Sequence, residues 1–139
     1  MRVTLSDEAR RYIGRFDELT GVTPRDCLVE EDRLVFVVPP GEMHEAIGPG
    51  GRTVDRVEAE LGRGVQLVEY AETPEAFVAN ALAPAAVRAV TISEQNDRVA
   101  YVEVEPADRG VAIGTDGRTI ETARRLAGRH HDVDDVQLT

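Results

Sequence analysis

The eight residues Ile47-Gly48-Pro49-Gly50-Gly51-Arg52-Thr53-Val54 return 66 positions later as Ile113-Gly114-Thr115-Asp116-Gly117-Arg118-Thr119-Ile120. Both copies read I-G-x-x-G-R-T-[VI]. Two glycines separated by two residues, behind an apolar residue and ahead of a helical pattern, let backbone pass very close to a ligand. A single Gly-x-x-Gly also matches many plain helix–helix turns. Two copies with the same flanks, in a chain of 139 residues, point to two units that each present such a loop.

The sequence around each copy runs in the same order. In residues 1–70, Leu5, Ala9, Tyr12, Ile13, Phe16 and Leu19 fall at helical spacing, with Ser6 as N-cap and Thr20-Gly21 as the stop. Two strand-like runs, 26–30 and 33–38, meet at the acidic turn Glu31-Asp32, and Pro39-Pro40 closes them. A short helix over 41–47 leads into the first loop. The next helix carries Val54, Val57 and Leu61 on one face, and residues 65–70 form a third strand. Residues 71–139 repeat the order: a helix over 74–82 with Pro74 in its first turn, strands over 87–93 and 99–105, and a short helix over 106–113. The second loop follows, then a helix burying Ile120, Ala123, Leu126 and Ala127, and a strand over 133–138. The expected fold class is α+β: two tandem αββααβ units, each a three-stranded sheet covered by helices on one face. Ala71-Glu72-Thr73 is too short a connector to let the units swing freely.

Charge narrows the function classes. All 16 basic residues are Arg, and 26 Asp and Glu leave a net charge of −10. The load is even, with 9 Arg and 14 acids in residues 1–70 and 7 Arg and 12 acids in residues 71–139. An acidic, lysine-free chain resembles the proteins of salt-in halophiles, chiefly haloarchaea, because molar salt screens self-repulsion while carboxylates keep the surface hydrated. A GC-rich genome, which replaces Lys codons by Arg codons, is the alternative. Without lysine there is no Walker-A lysine and no Schiff base. No apolar run approaches the roughly 20 residues of a membrane span, and the N-terminus turns acidic at Asp7-Glu8 without a signal core. A soluble, cytoplasmic protein is expected. Cys27, His44 and His130-His131 do not have metal-ligand spacing. Cys27 reads as a buried structural thiol, and the histidines as a helix end. No cofactor is expected, and no paired-carboxylate or nucleophile–base constellation argues for an enzyme.

Each loop opens onto the N-terminus of a longer helix, where free N–H groups and the positive end of the helix dipole favour a phosphate. Arg52 and Arg118 follow at once and can bond phosphate in a bidentate way. On the second long helix, Arg118, Arg125 and Arg129 lie near one stripe, with Glu121 placed to pair with Arg125 at i,i+4. That stripe reads either as a rail for a polyanion or as a solvated, salt-bridged face.

An I-G-x-x-G-x-x-[VI] phrase between two helices is the signature of KH domains, and αββααβ is their type II arrangement. The second loop lies between Asp108-Arg109-Gly110-Val111-Ala112 and Arg129-His130-His131-Asp132-Val133-Asp134-Asp135-Val136. With those flanks the tandem pair is similar to the archaeal NusA-like transcription termination/antitermination family, over essentially the whole chain. The resemblance implies KH type II domains at 1–70 and 71–139 and a non-enzymatic factor that binds single-stranded RNA during transcription. RNA polymerase is expected as a further partner, no membrane is expected, and the protein is expected to be a monomer. KH modules clamp about four nucleotides, backbone at the loop and bases over an apolar groove. Carried over, Gly48, Pro49, Gly50, Gly51 and Gly114, Thr115, Asp116, Gly117 form the loops, and Arg52, Arg118 and Arg125 meet phosphate. Ile47 with Val54, and Ile113 with Ile120, floor the grooves or simply pack in the core.

Both loops depart from the family in lacking a basic residue between the glycines. Asp116 would repel a phosphate. The second unit then binds weakly, or relies on molar salt to screen the repulsion, or serves as a structural or docking partner. A module that docks on RNA polymerase or ribosomal components, with little RNA contact, is the alternative function.

Overall fold

A computed structural model describes residues 3–139, in which Thr4–Tyr70 and Ala71–Thr139 form two compact units.

The first unit begins with α1 (Asp7–Thr20). Ser6 caps it, its Oγ accepting from Ala9 N at 3.1 Å, and Gly21 ends it in the left-handed region. Strands β1 (Asp26–Val29) and β2 (Arg33–Val38) pair antiparallel. The short helix α2 (Met43–Ile47), the loop and α3 (Arg52–Leu61) carry the chain to β3 (Gly64–Glu69), which runs parallel to β2. The sheet order is β1-β2-β3.

The core of this unit joins Ala9, Ile13 and Phe16 of α1, Ala46 of α2 and Val57 of α3 to Leu34, Phe36 and Val38 of β2. The rings of Phe16 and Phe36 tilt together with centroids 4.5 Å apart, a geometry that adds to plain area burial. From Leu34 to Val38 strand β2 is an unbroken apolar run, and its alternate residues Val35 and Val37 are also fully buried, with Leu28 opposite Val35 on β1. Runs of this kind are what a strand covered on both faces needs. Arg63, beyond α3, donates to the carbonyls of Glu30 and Glu31 and ties the β1–β2 turn to the end of the helix.

The second unit uses the same order: α4 (Pro74–Ala81), β4 (Val87–Ser93), β5 (Val99–Val104), α5 (Arg109–Ile113), α6 (Arg118–His131) and β6 (Asp135–Leu138). Its sheet order is β4-β5-β6, the first pair antiparallel and the second parallel. Thr73 caps α4, accepting from Ala76 N at 3.2 Å. The expected helix over 106–113 is split: a 3₁₀ turn over Pro106–Asp108 precedes α5, since proline suits a first turn but supplies no N–H. Strand β5 alternates, burying Ala100, Val102 and Val104 and exposing Tyr101 and Glu103. Helix α6 buries Ile120, Ala123, Leu126 and Ala127, and packs on α4 and β6. Arg124 fastens α6 to β6, donating from Nε to Asp135 Oδ1 at 2.9 Å and to the Val136 carbonyl at 3.1 Å. Among the described residues, no helix is long and apolar enough to cross a membrane.

Candidate functional site

The two repeated phrases adopt one backbone conformation. Gly48 (φ 76°, ψ 171°) matches Gly114 (82°, 170°), Gly50 (61°, 21°) matches Asp116 (56°, 28°), and Gly51 (78°, 11°) matches Gly117 (75°, 15°). The hydrogen bonds match too. Gly48 N donates to His44 O, and Gly114 N to Gly110 O, both at 2.9 Å. Gly51 N donates to Gly48 O and Gly117 N to Gly114 O, both at 3.1 Å. Each loop is thus one tight 3₁₀ turn between a five-residue helix and the N-terminus of a long one.

The first glycine of each loop is required twice over. Its φ and ψ lie in a region essentially restricted to glycine. A Cβ on Gly48 would fall 2.6 Å from Thr53 Cβ and 3.0 Å from Thr53 N, and one on Gly114 would fall 2.7 Å from Thr119 N and 2.9 Å from Thr119 Cβ. Backbone lies among those neighbours, so a side chain could not be accommodated by moving a flexible tip. The sequence quotes both threonines in the repeat but gives them no role; only the folded turn shows each closing on the glycine five residues earlier. A Cβ on Gly50, Gly51 or Gly117, by contrast, would meet nothing within 4 Å. The loop is therefore pinned at its entry and open at its crest. No side chain caps α3 or α6, and the first-turn N–H groups beyond the crest keep the positive end of the helix dipole.

The flanks divide into buried and open positions. Ala46 and Ala112 are fully buried, whereas Ile47 and Ile113 are each 39% exposed. These two isoleucines stand beside the loops outside the core, while Val54 is half-buried and Ile120 is buried. Val111 is 44% exposed on the same short helix as Ile113; its counterpart in the first unit is Glu45. The second unit therefore pairs an acidic crest residue, Asp116, with two open aliphatic side chains.

Pro49 and Thr115 are exposed at the turns. Arg52 is exposed at the start of α3, and its side chain makes no hydrogen bond or ion pair among the described residues. Arg118 is half-buried in the first turn of α6, and Arg125 is exposed two turns on. The sequence pairs Glu121 with Arg125; in the structure Glu121 reaches Arg124, at 3.1 Å. The difference comes from β6, whose Asp135 draws Arg124 to the side of α6 where Glu121 stands.

Other reactive side chains lie elsewhere. Cys27 is 4% exposed in the core, and its thiol is pushed up to about 12 by burial and by the neighbouring Asp26 carboxylate. His130 and His131 pack on the Phe77 ring with centroids 5.4 and 5.3 Å away, and His131 Nε2 lies 2.8 Å from the Ala71 carbonyl. Among the described residues, no group of three or more His, Cys, Asp or Glu is placed to hold a metal ion.

Comparison with known proteins places this geometry. Residues 74–138 match the NusA-like second KH domain. The chain is 61% identical to the probable transcription termination protein NusA of Halococcus morrhuae over 99% of both chains, and 59% identical to that of Halobacterium salinarum over the whole of both. Both relatives come from halophilic archaea, the setting implied by the charge balance. The crystal structure of APE1850 is 33% identical and superposes with a TM-score of 0.85, over 97% of this chain and 100% of that one. The chain belongs to the family of NusA-like transcription termination proteins.

Proposed function

We propose that the protein is a non-enzymatic, single-stranded RNA-binding transcription elongation and termination factor. It is built from two type II KH domains, residues 1–70 and 71–139, and RNA backbone is held at the Gly48–Gly51 and Gly114–Gly117 loops. The observation that carries this reading is the shape of the loops, pinned at the first glycine and bare at the crest, where a strand can lie against backbone. First-turn N–H groups of α3 and α6 then face phosphate, with Arg52, Arg118 and Arg125 as the cations. Open Ile47 and Ile113 supply apolar surface for bases. The protein works in the cytoplasm as a monomer, with RNA polymerase as a further partner and no cofactor.

The test must spare Gly114, whose conformation the fold itself needs. Pro49 and Gly50 are replaced by Asp in the first loop and Thr115 by Asp in the second, and RNA binding is followed by fluorescence anisotropy in molar KCl. The expected result is at least a tenfold loss with all three changes, since charge-assisted contacts of about 1.5–3 kcal/mol are replaced by repulsion. Binding equal to the parent's would overturn the reading.

A second reading, docking on RNA polymerase or ribosomal components, draws on the second unit. Val111 and Ile113 are open beside Asp116, and the chain carries a net charge of −10, unlike most RNA binders. A polymerase pull-down that survives the three loop changes, together with unchanged RNA binding, would favour it.

A further inference from the structure

The groove between α1 and α3 in the first unit lies outside both loops and is lined by Glu8, Arg11, Tyr12, Arg15 and Leu61, with a volume of about 340 Å³. That volume is at the small end of ligand pockets. We propose that it is a nucleobase site, taking one nucleotide of the RNA strand whose neighbours lie on the Gly48–Gly51 loop. The proposal rests on the RNA-binding reading above and deepens it.

Three polar groups converge on the groove without being used by the fold. Glu8, Arg11 and the Tyr12 hydroxyl make no hydrogen bond or ion pair among the described residues. Arg15 is fixed, donating to Glu18 at 3.1 Å and to Glu60 at 3.0 Å. Tyr12 and Leu61 are half-buried, packed against the core on one side and open to the groove on the other. An aromatic face, an aliphatic floor, a free carboxylate acceptor and a free guanidinium donor suit a flat neutral ring that both donates and accepts. The charges nearly cancel, which argues against a bare phosphate as the occupant. Glu8 can accept from the exocyclic amine of adenine or cytosine, a group that uracil lacks.

The groove is also connected to the loop. Arg52, Arg56 and Glu60 occupy one stripe of α3 at i, i+4 and i+8. The side chains of Arg52 and Arg56 are exposed and make no ion pair or hydrogen bond among the described residues. Glu60, at the far end, holds Arg15 on the rim of the groove. The stripe spans about 12 Å along the helix axis and offers two free cations to the phosphates of a strand leaving the loop. The second unit lacks the site: on α4 the positions 66 residues beyond Arg11, Tyr12 and Arg15 are Phe77, Val78 and Ala81, all buried.

The experiment uses the whole protein and Arg11→Ala, a surface change that the fold does not need, with RNAs of about four and about eight nucleotides in molar KCl. The parent should bind the longer strand more tightly, and Arg11→Ala should weaken that binding about tenfold while leaving the shorter strand unchanged. A second variant, Glu8→Gln, should flatten a preference for adenine or cytosine over uracil at the flanking positions. Failure of the parent to bind either RNA would remove the RNA reading and this site with it. Parent binding with an Arg11→Ala variant that is unaffected, or weakened equally for both lengths, would remove the groove site alone. Saturation of the groove by a free nucleoside monophosphate, lost in Arg11→Ala while the longer RNA still binds that variant normally, would also overturn it in favour of a free-nucleotide site.

Discussion

The side chain of Thr53 occupies the space that a Cβ on Gly48 would need, with Thr53 Cβ 2.6 Å from that point. Thr119 and Gly114 repeat the relationship, with Thr119 N at 2.7 Å. A Gly48→Ala or Gly114→Ala change should therefore cost about 2–3 kcal/mol in a denaturation experiment. At Gly50, where a side chain would meet open space, alanine should cost about 1 kcal/mol for its left-handed backbone alone. Equal losses at Gly48 and Gly50 would show that the threonine contact does not set the turn.

Asp116 occupies a left-handed position at φ 56° that the first loop gives to Gly50. Asp116→Gly should remove about 1 kcal/mol of backbone strain and one negative charge from the crest. Two gains are expected together: a higher melting temperature and tighter RNA binding, the second larger at low salt than at molar salt. Tighter binding without added stability would separate the charge effect from the strain.

Cys27 should be inert while the protein is folded. Its thiol is held up to about 12 against an ordinary value of 9.0, so the folded state keeps the proton when the unfolded chain releases it. The resulting stability is complete below about pH 9 and is lost as pH rises toward 12. Thiol titration with a chromogenic disulfide at pH 8 should be slow in molar KCl and rapid after denaturation. Fast labelling of the folded protein would mean that the β1 edge opens readily.

Asp135 anchors the end of the second unit. The Gln137 amide above all, then the Val136 N–H and the Arg124 guanidinium, hold its carboxyl below the usual carboxylate range, against an opposing effect of burial that only the Gln137 bond outweighs singly. A lowered folded value gives stability that is present above about pH 4 and lost as pH falls through the folded value. Arg124→Ala should destabilise by about 1 kcal/mol, as expected for a half-exposed pair with an added carbonyl bond. It should also flatten the acid limb of the stability–pH curve. An unchanged acid limb would assign that limb to other carboxylates.

The elements are legible in the sequence because the apolar period changes clearly, from 3.6 across Ala9, Ile13 and Phe16 to 2 across Ala100, Val102 and Val104, and because Ser6, Gly21 and Pro74 mark helix ends by local chemistry. The equivalence of the loops is legible for a related reason: the shared first and last glycines, with the same Arg-Thr behind them, adopt matching dihedral angles. What required the fold depends on separated partners. Arg124 and Arg125 are adjacent on a helix, and only β6 decides which of them reaches Glu121. The sequence places Tyr12 on the apolar face of α1 and leaves Glu8 and Arg11 as surface, so the groove against Leu61 of α3 has no linear signature. Ile47 and Ile113 show the same limit: helical spacing does not distinguish a residue that ends in the core from one that stops beside it.

The Gly48–Gly51 turn is held by backbone hydrogen bonds and by the close fit of Thr53, with no side-chain cap and no ion pair in its frame. Packing and backbone bonds of this kind change little with ionic strength, whereas exposed ion pairs are screened. The turn should therefore keep its shape from dilute buffer to molar salt, and a ligand would meet it already ordered. Pre-organisation of that sort lowers the conformational entropy lost on association, which matters most where long-range attraction has been screened away.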